Sequence, residues 1–292
     1  MKPMPRRSTP LSLALLKKHP VPSVLDAGDK EERGAVLIVG GSLLVPGAAI
    51  LAGVAALRAG CGKVAIAIDR RVATLVAQSL PEALVMPLAA HGSANSLPAA
   101  LAKEVRSADA ILVGVGMEPS PATARLALQI ARASKSPLVL DAGALAGARN
   151  SLLSRPQRCV LTPHAGEMAK LTGKPKSIVA AQAAAIAQDV AHTLQATVVL
   201  KGARTFIADS GALLHNERGH PGLGTSGSGD VLSGALVALL ARGLPPRWAA
   251  AWAVRVHALA GERLARRIGA SGFLAREIAH ELPMCLRACG QH

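Results

Sequence analysis

Aromatic residues are almost absent from this chain of 292 residues, which contains no tyrosine, two phenylalanines and two tryptophans. Proteins that bind single-stranded nucleic acids stack the bases on aromatic rings, so this scarcity argues against that class. Half of the residues are nevertheless hydrophobic. The core must therefore consist of aliphatic side chains, and the apolar runs at 64–68 and 198–200 are typical of buried parallel strands.

Acidic residues are also scarce, since 18 aspartates and glutamates stand against 33 lysines and arginines, a formal charge of +15. Such an excess can indicate nucleic acid, a membrane surface or anionic small molecules as partners. The basic residues are scattered, so we interpret most of them as solvated side chains on the surface. A second interpretation is that they favour the binding of phosphate-bearing ligands. No apolar stretch suits a membrane span or a secretory leader. We expect neither a nucleic acid nor a membrane as partner.

Cysteine is rare as well, and the four residues present form no Cys-x-x-Cys pair and have no histidines at metal-binding spacing. Cys285 and Cys289 stand four residues apart on a predicted terminal helix. We interpret them as two small apolar residues on one helical face. This cysteine usage favours a reducing cytoplasm.

The alternation of apolar and helical segments predicts an α/β fold. Residues 35–39 read as a strand that stops at Gly40-Gly41-Ser42, and a helix of small residues at 46–59 leads to a strand at 63–68. This has the length of a β-α-β crossover. The turn lacks the Gly-x-Gly-x-x-Gly pattern, which disfavours a dinucleotide-binding Rossmann fold.

The same alternation continues to the end of the chain, without an internal repeat or linker. We predict an N-terminal arm at 1–34 with one helix at 10–18, followed by one domain at 35–292. Trp248 and Trp252 belong to a helical stripe and are interpreted as core. Further strands are predicted at 83–86, 110–113, 138–140, 159–161, 197–200, 205–208 and 212–214, and further helices at 121–133, 177–194, 245–267 and 274–286.

The most informative stretch is residues 222–230, Gly-Leu-Gly-Thr-Ser-Gly-Ser-Gly-Asp, which runs into an apolar helix. A glycine loop at a helix start directs several backbone N–H groups at one point, with the positive end of the helix dipole behind them. The result is an anion hole with Asp230 at its edge as a potential base. No Lys-Ser/Thr pair follows, so this is not a Walker P-loop. The alternative is a glycine-rich turn with Asp230 as an N-cap.

Polar residues at the ends of the predicted parallel strands should lie on one side of the sheet. Each has a plain alternative, since a serine can cap a helix, a histidine can fix a loop, a glutamate suits a first helical turn and a lysine can end a strand. Their coincidence is what favours a functional site. The residues are Ser42, Asp141, His164, Glu167, Lys201 and Asp230.

Four motifs resemble a known family. The sequence Gly227-Ser228-Gly229-Asp230 resembles the GxGD signature of ribokinase-like kinases, and four motifs, one of which overlaps this signature, resemble, more narrowly, the ADP-dependent (S)-NAD(P)H-hydrate dehydratases. The resemblance covers the chain from about residue 35 to the final helices and implies a three-layer α/β/α fold with a mostly parallel sheet. The motifs are Gly40-Gly41-Ser42 with 46–52, Thr162–Met168, Lys201–Thr205 and Gly229–Gly234.

The resemblance implies a metabolite-repair enzyme. ADP would be consumed, with Mg²⁺, to restore NADH or NADPH from the S-form of the hydrates NADHX and NADPHX, giving AMP and phosphate. It implies a homo-oligomer, commonly a tetramer, and it leaves the metal ligands undefined. The loop Gly227, Ser228 and Gly229 would hold the transferred phosphate, with Asp230 as the base. The nucleotide contacts would be Lys201, Gly202, Ala203, Arg204, Thr205 and Gly229, and the hydrate contacts would be Ala48, Gly116, His164 and Asp230.

The chain departs from the family pattern in three places. It has Gly143 where the family has the second aspartate of Asp-Ala-Asp-Ala-Leu, and 114–118 reads Gly-Val-Gly-Met-Glu in place of Gly-Pro-Gly-Leu-Gly. The 34 residues before the first strand leave no room for the epimerase domain of many relatives. Two rivals remain, a vitamin-type kinase for hydroxyethylthiazole or pyridoxal and, because of Gly143, a non-catalytic nucleotide-binding regulator.

Overall fold

The computed structural model describes residues 7–23, 29–89, 96–148 and 158–290. A single ten-stranded sheet crosses it in the order β1-β10-β9-β8-β7-β6-β5-β2-β3-β4. Every strand in it runs in the same direction except β9, which is antiparallel to both of its neighbours. The strands are β1 Thr9–Pro10, β2 Ala35–Val39, β3 Lys63–Asp69, β4 Leu84–Leu88, β5 Ala110–Val113, β6 Leu138–Leu140, β7 Cys159–Leu161, β8 Thr197–Leu200, β9 Thr205–Ala208 and β10 Leu213–Asn216.

Helices cover both faces of this sheet. Short 3₁₀ turns at Ala142–Gly147 and Pro221–Leu223 complete the regular structure of the described ranges. The helices are α1 Leu13–Lys17, α2 Gly47–Arg58, α3 Ala73–Ser79, α4 Ala99–Ser107, α5 Pro121–Ala133, α6 Ala165–Thr172, α7 Lys176–Ala181, α8 Ala183–Leu194, α9 Ser228–Ala241, α10 Pro246–Arg267 and α11 Ala275–Ala288.

The alternation of side chains along each strand creates two separate cores. In β2, Val36 and Ile38 pack with α2, α9, α10 and α11, while Leu37 and Val39 pack with α4, α5 and α8 on the opposite face. Successive strand residues point to opposite faces, so a strand buried on both sides must be continuously apolar. The predicted α/β/α layering with a mostly parallel sheet is confirmed.

The predicted elements agree with the structure most closely where the apolar runs are short and bounded. Strands β5 to β9 and helix α5 have the predicted bounds, and the 205–214 hairpin turns at Asp209, whose carboxylate accepts from the Gly211 and Ala212 amides. The predicted helix at 177–194 is wrong as a single helix, because Gln182 separates α7 from α8. Strand β1 and helices α3, α4 and α6 were not predicted, and the helix predicted at 10–18 is shorter, at Leu13–Lys17, because Pro10 belongs to β1.

The N-terminal segment packs onto the domain. Strand β1 pairs with β10, Leu16 is fully buried, and Trp252 Nε1 donates to the carbonyl of His19 at 2.7 Å. Trp252 is core as predicted, but Trp248 is only half-buried and stacks on the His19 ring at 3.6 Å. A domain boundary at residue 34 stays a prediction, and residues 1–6 and 24–28 of the predicted arm lie outside the described residues.

All four cysteines lie in the interior of the structure. Cys285 is buried on α11 and Cys289 is buried directly after it, and Cys61 and Cys159 are buried as well. Across the described ranges, no helix combines the length and the apolar character needed to traverse a bilayer.

The order of the strands determines where a ligand can bind. Strand β2 lies between β3 and β5. Strands β3 and β4 extend the sheet on one side of β2, and β5 and the later strands extend it on the other side. Open α/β sheets bind ligands at such a switch point, outside the carboxyl ends of the strands. Residues 40–42 follow β2 and residues 114–118 follow β5, so both turns lie at this point.

Helices α2 and α9 approach too closely to allow a side chain at Gly234. A Cβ atom built there lies 2.2 Å from the carbonyl oxygen of Ala52. We expect Gly234→Ala to lower the free energy of unfolding by about 1–3 kcal/mol, measured by urea denaturation, because overpacking outweighs the better helix propensity of alanine. Gly47→Ala is the control, since a Cβ there meets no atom within 4 Å. Equal stability of the two variants would contradict the close approach.

Candidate active site

The glycine loop forms the start of α9 and leaves two amides exposed. Gly227 is the N-cap with φ 87°, a left-handed conformation, and a Cβ there would lie 2.5 Å from Leu51 Cδ1. The first amides of a helix lack intrahelical acceptors. Among the hydrogen bonds of the described residues, the amides of Gly229 and Asp230 have no acceptor, whereas Ser228 N donates to Thr225 O. Two N–H groups at the positive end of α9 are therefore available to an anion.

A buried histidine supports this loop from behind. His257 Nε2 lies 3.0 Å from the carbonyl oxygen and 3.0 Å from the hydroxyl of Ser228. Burial lowers the pKa of His257 to about 4, so the ring is neutral near pH 7. A carbonyl only accepts, so Nε2 carries the proton and donates to Ser228 O. The predicted loop residue Ser228 thus points inward and fixes the loop, and its hydroxyl does not face the anion site.

Asp230 occupies the third position of α9 and is not its N-cap, so the alternative interpretation of this residue is wrong. Burial, followed by repulsion from Asp141, raises the pKa of Asp230 from 3.8 to about 7, although Lys201 opposes the shift. A carboxylate with a pKa near 7 is well matched to general-base catalysis at neutral pH.

A buried ion pair lies beneath the loop. Lys201 Nζ is 3.1 Å from Asp141 Oδ1, and the Ser233 hydroxyl donates to Asp141 Oδ2 at 2.7 Å. The ammonium also lies close to the glycine loop, because a Cβ built on Gly229 would be 3.3 Å from it. Burial disfavours the charged ammonium, but attraction by Asp141, Glu167 and Asp230 prevails and raises the pKa of Lys201. The cation therefore stays charged below the anion site.

His164 and Glu167 cap helix α6 through a reciprocal capping box. His164 Nδ1 accepts from the amides of Gly166 at 2.9 Å and Glu167 at 3.2 Å, while Glu167 Oε2 accepts from the His164 amide at 2.8 Å. Because Nδ1 is an acceptor, the neutral ring carries its proton on Nε2. The side chain is more than half exposed, at 58%, and its Nε2 lies 3.6 Å from Glu167 Oε1, too far for a hydrogen bond, so this N–H is available to a ligand. The plain interpretation, that His164 fixes a loop, is correct as far as Nδ1 is concerned.

The loop between β8 and β9 lies beside this cap. Lys201 forms an isolated parallel bridge with His164, and its amide donates to Pro163 O at 2.8 Å. Gly202, Ala203 and Arg204 are exposed, so the backbone of this loop is accessible to a ligand. The Arg204 guanidinium pairs at 2.5 Å with Glu217, which follows β10, so this side chain is committed to a surface ion pair.

Two of the four predicted hydrate contacts, Ala48 and Gly116, meet at the switch point. A Cβ built on Gly116, which has φ 65°, would lie 2.6 Å from Ala48 Cβ, so the turn after β5 rests on the start of α2. Ser42 stabilises the intervening loop by accepting from the Val45 amide at 3.1 Å, and it does not cap α2, which begins at Gly47.

Gly143 cannot carry a carboxylate in this structure. A Cβ built there lies 2.5 Å from Met117 O and 2.8 Å from Glu118 O. The two departures from the family pattern are thus in contact, since the turn at 117–118 occupies the space that a side chain at 143 would need. A metal ligand at position 143 is excluded by this packing.

The remaining carboxylates suit Mg²⁺ only when the ion is also bound by the phosphates of a nucleotide. The described residues contain no group of three or more histidine, cysteine, aspartate or glutamate side chains placed to hold a metal. Mg²⁺ commonly keeps several waters and takes one or two carboxylates together with substrate phosphates. Asp141 is committed to Lys201 and Ser233, which leaves Glu167, whose Oε1 lies 3.6 Å from His164 Nε2 and whose charge acts on Lys201.

Sequence reasoning missed Ser233, Thr162 and His257. Ser233 lies one turn after Asp230 in an otherwise apolar helix, and its hydroxyl is 3.4 Å from that of Thr162. A lone polar residue in an apolar run was the available signal for Ser233 and His257, because buried polar groups require partners.

Comparisons with known proteins agree with this geometry. A protein-family profile described as NAD(P)H-hydrate dehydratase matches residues 36–284. The ADP-dependent (S)-NAD(P)H-hydrate dehydratase of Xanthomonas campestris pv. campestris is 47% identical over 276 residues, which are 94% of each chain. Other relatives are bifunctional NAD(P)H-hydrate repair enzymes, and the chain spans about half of their length, 51% and 53% in two of them.

Solved structures show the same fold. A ribokinase-like superfamily protein of Enterococcus faecalis is 27% identical with a TM-score of 0.85, over 98% of this chain and 97% of that one. The ADP/ATP-dependent NAD(P)H-hydrate dehydratase of Bacillus subtilis, co-crystallised with ATP and Mg²⁺, is also 27% identical with a TM-score of 0.85, over 97% and 99%. The predicted ribokinase-like fold is confirmed.

The raised pKa of Asp230 should appear in the stability of the ligand-free protein. The folded carboxyl binds a proton between pH 3.8, its ordinary value, and about 7, whereas the unfolded one does not. Stability is therefore lost as the pH rises through this window. We expect Asp230→Asn to match the wild type at about pH 4 and to exceed it above pH 7, by on the order of a few kcal/mol.

Urea denaturation at about pH 4 and about pH 8 measures this difference. Asp189→Asn is the matched control, because Asp189 is an exposed carboxylate on α8. A pH-independent difference between Asp230→Asn and the wild type would show that Asp230 has no raised pKa.

Proposed function

Because the chain belongs to the NAD(P)H-hydrate dehydratase family, we propose that it catalyses the ADP-dependent dehydration of (S)-NADHX and (S)-NADPHX to NADH and NADPH, releasing AMP and phosphate. The observation that carries this proposal is the position of Asp230. Its carboxyl lies beside two amides without acceptors at the start of α9 and above a buried ammonium. This arrangement suits the transfer of a phosphoryl group to a hydroxyl.

The chemistry follows from the poor leaving ability of hydroxide. Asp230 takes the proton from the hydroxyl group of the hydrate. The hydroxyl oxygen attacks the terminal phosphoryl group of ADP at the same time, and AMP departs. The amides of Gly229 and Asp230 stabilise the charge that develops on the phosphoryl oxygens. The lone pair of the nicotinamide nitrogen then expels phosphate, and loss of a proton from the neighbouring carbon restores the double bond.

The nucleotide would lie along residues 201–205 and Gly229. The exposed backbone of Gly202, Ala203 and Arg204 supports this assignment, and Thr205 closes the turn by donating to Gly202 O at 3.3 Å. The Lys201 ammonium has a different role, because its pairing with Asp141 holds it beneath the loop. There it stabilises phosphate charge from below Gly229.

The hydrate would lie between Ala48, Gly116, His164 and Asp230. Two of these positions offer no side chain beyond a methyl group, which lets a planar ring approach the backbone closely. The Nε2–H of His164 supplies a donor to the substrate. Mg²⁺ would be held by phosphate oxygens, water and Glu167. The ion would neutralise further negative charge on the phosphates.

We also propose a cytoplasmic homotetramer. Cys61, Cys285 and Cys289 are free and buried thiols, which supports a reducing compartment. The exposed loop of Leu43, Leu44 and Val45 offers an apolar surface that a second copy of the chain can cover. Light scattering of the purified protein measures the assembly.

Two variants of His164 should separate capping from substrate binding. His164→Ala removes the acceptor for two amides and should lower the free energy of unfolding by about 1 kcal/mol, whereas His164→Asn keeps a capping acceptor and most of the stability. Both lose the Nε2–H donor, so both should lower kcat/KM to a similar extent. If the loss of kcat/KM in each variant instead followed its loss of stability, His164 would be a cap alone.

The decisive test supplies NADHX with ADP or ATP and records the absorbance of the reduced nicotinamide. We expect recovery with ADP and a decrease of at least about a hundredfold in Asp230→Asn, because a general base contributes about 10²–10⁴ in rate. ADP should still raise the melting temperature of this variant, since the loop amides are intact. Asp189→Asn is again the control and should be fully active.

Two results would contradict the proposal. Normal recovery of NADH by Asp230→Asn would remove the base from the mechanism. Consumption of nucleotide only with hydroxyethylthiazole or pyridoxal, leaving a stable phosphate ester, would identify a vitamin-type kinase.

A further inference from the structure

A second part of the switch point remains unassigned. A cleft of about 280 Å³ opens between the carboxyl ends of β2, β3 and β4 and the turn after β5. Pockets that hold complete ligands measure about 300–1,000 Å³, so this cleft suits a fragment the size of a nucleoside. Its inner wall is apolar, with Val39, Ala67, Ile68 and Leu88, and its rim carries Asp69, Arg71 and Glu118.

The cleft is continuous with the place assigned to the hydrate ring. Gly41 and Met117 line the cleft, and they adjoin Gly116, whose built Cβ is 3.2 Å from Gly41 Cα and 2.6 Å from Ala48 Cβ. Backbone hydrogen bonds connect the neighbouring strand ends, from Gly41 N to Val115 O at 2.6 Å and from Gly40 N to Ala67 O at 3.2 Å. A ligand whose ring is bound at Ala48 and Gly116 can therefore extend along this edge of the sheet into the cleft.

Asp69 and Arg71 give the rim a defined chemistry. Arg71 donates Nε–H to Asp69 Oδ1 at 3.0 Å and an η2 N–H to Asp69 Oδ2 at 2.6 Å. A guanidinium has five N–H donors, so three remain for a ligand, and the side chain is 56% exposed. Guanidinium groups recognise phosphate, and dinucleotide sites use an acid for a ribose 2′-hydroxyl or an arginine for a 2′-phosphate.

We propose that this cleft binds the adenosine half of the hydrated dinucleotide and that Arg71 recognises the 2′-phosphate of NADPHX. The inference rests on the proposed function, because it requires a dinucleotide substrate whose hydrated ring lies at Ala48 and Gly116. The adenine lies against the apolar wall, and the ribose reaches the rim. Arg71 is thus the residue that determines the preference between the two hydrates.

The test compares kcat/KM for NADHX and NADPHX in the wild type and in Arg71→Ala. We expect a loss of about tenfold for NADPHX, the range of a hydrogen bond to a charged group, and a change of less than about twofold for NADHX. Arg70→Ala is the matched control, because Arg70 is an exposed neighbour that does not line the cleft and should change neither value.

A second variant tests the cleft independently of the arginine. Ala89→Trp places a large side chain at its outer wall and should raise KM for both dinucleotides. The hydrate of reduced nicotinamide mononucleotide lacks the adenosine half, so its kcat/KM should be the same in the wild type, Arg71→Ala and Ala89→Trp. Equal losses for all three substrates, or no loss for NADPHX in Arg71→Ala, would overturn the inference.

Binding without turnover separates this inference from the proposed function. Calorimetry with adenosine 2′,5′-bisphosphate, in the presence of saturating ADP to fill the nucleotide loop, should show binding to the wild type and a loss of about tenfold in Arg71→Ala. Failure of the wild type to bind this probe would overturn the cleft assignment even if dehydration is observed. Binding without dehydration of any hydrate would contradict the proposed function alone.

Discussion

The pairing of Lys201 with Asp141 is the interaction on which the site depends. Both side chains are largely buried, and an unpaired buried charge is strongly destabilising. The pair joins the ends of β6 and β8, which are separated by β7, and Ser233 of α9 completes it. Each charge is therefore paired only when the sheet, the glycine loop and helix α9 are all correctly positioned relative to one another. The same contact that fixes the loop places a cation under it.

Electrostatic tuning of Asp230 follows from this arrangement. The chain as a whole carries a formal charge of +15, yet the site contains Asp141, Glu167 and Asp230 against one buried lysine. Surplus negative charge and burial keep the Asp230 carboxyl partly protonated near neutral pH. In the proposed function the nucleotide is itself an anion, so its binding would depend on the helix amides, on Lys201 and on a divalent cation carried by its phosphates.

Local sequence patterns predicted strands β2 to β10, the glycine loop and the polar strand ends, because each depends on residues close in the chain. The Lys201–Asp141 pair could not be predicted in this way, since their distance depends on the order of β6, β7 and β8. The capping box of His164 and Glu167 was visible in principle as an N-cap residue followed three positions later by glutamate. Helix α7 separates from α8 at Gln182, where the alanine-rich sequence carries no breaker. Asp69 and Arg71 gave no signal, because a charged turn after a strand is ordinary.

Gly143 packs against residues 117–118, so the two places where the chain departs from the family pattern are in direct contact. The turn after β5 occupies the space that a side chain at 143 would need. Asp141, two residues earlier, keeps its partners, because Ala142 N, Lys201 and Ser233 all bind its carboxylate. The turn at 117–118 also lines the cleft at the switch point. Position 143 therefore contacts the turn that lines the cleft, whereas Asp141 contacts Lys201 and Ser233 beneath the start of α9. These two ends of one short segment face different parts of the candidate site.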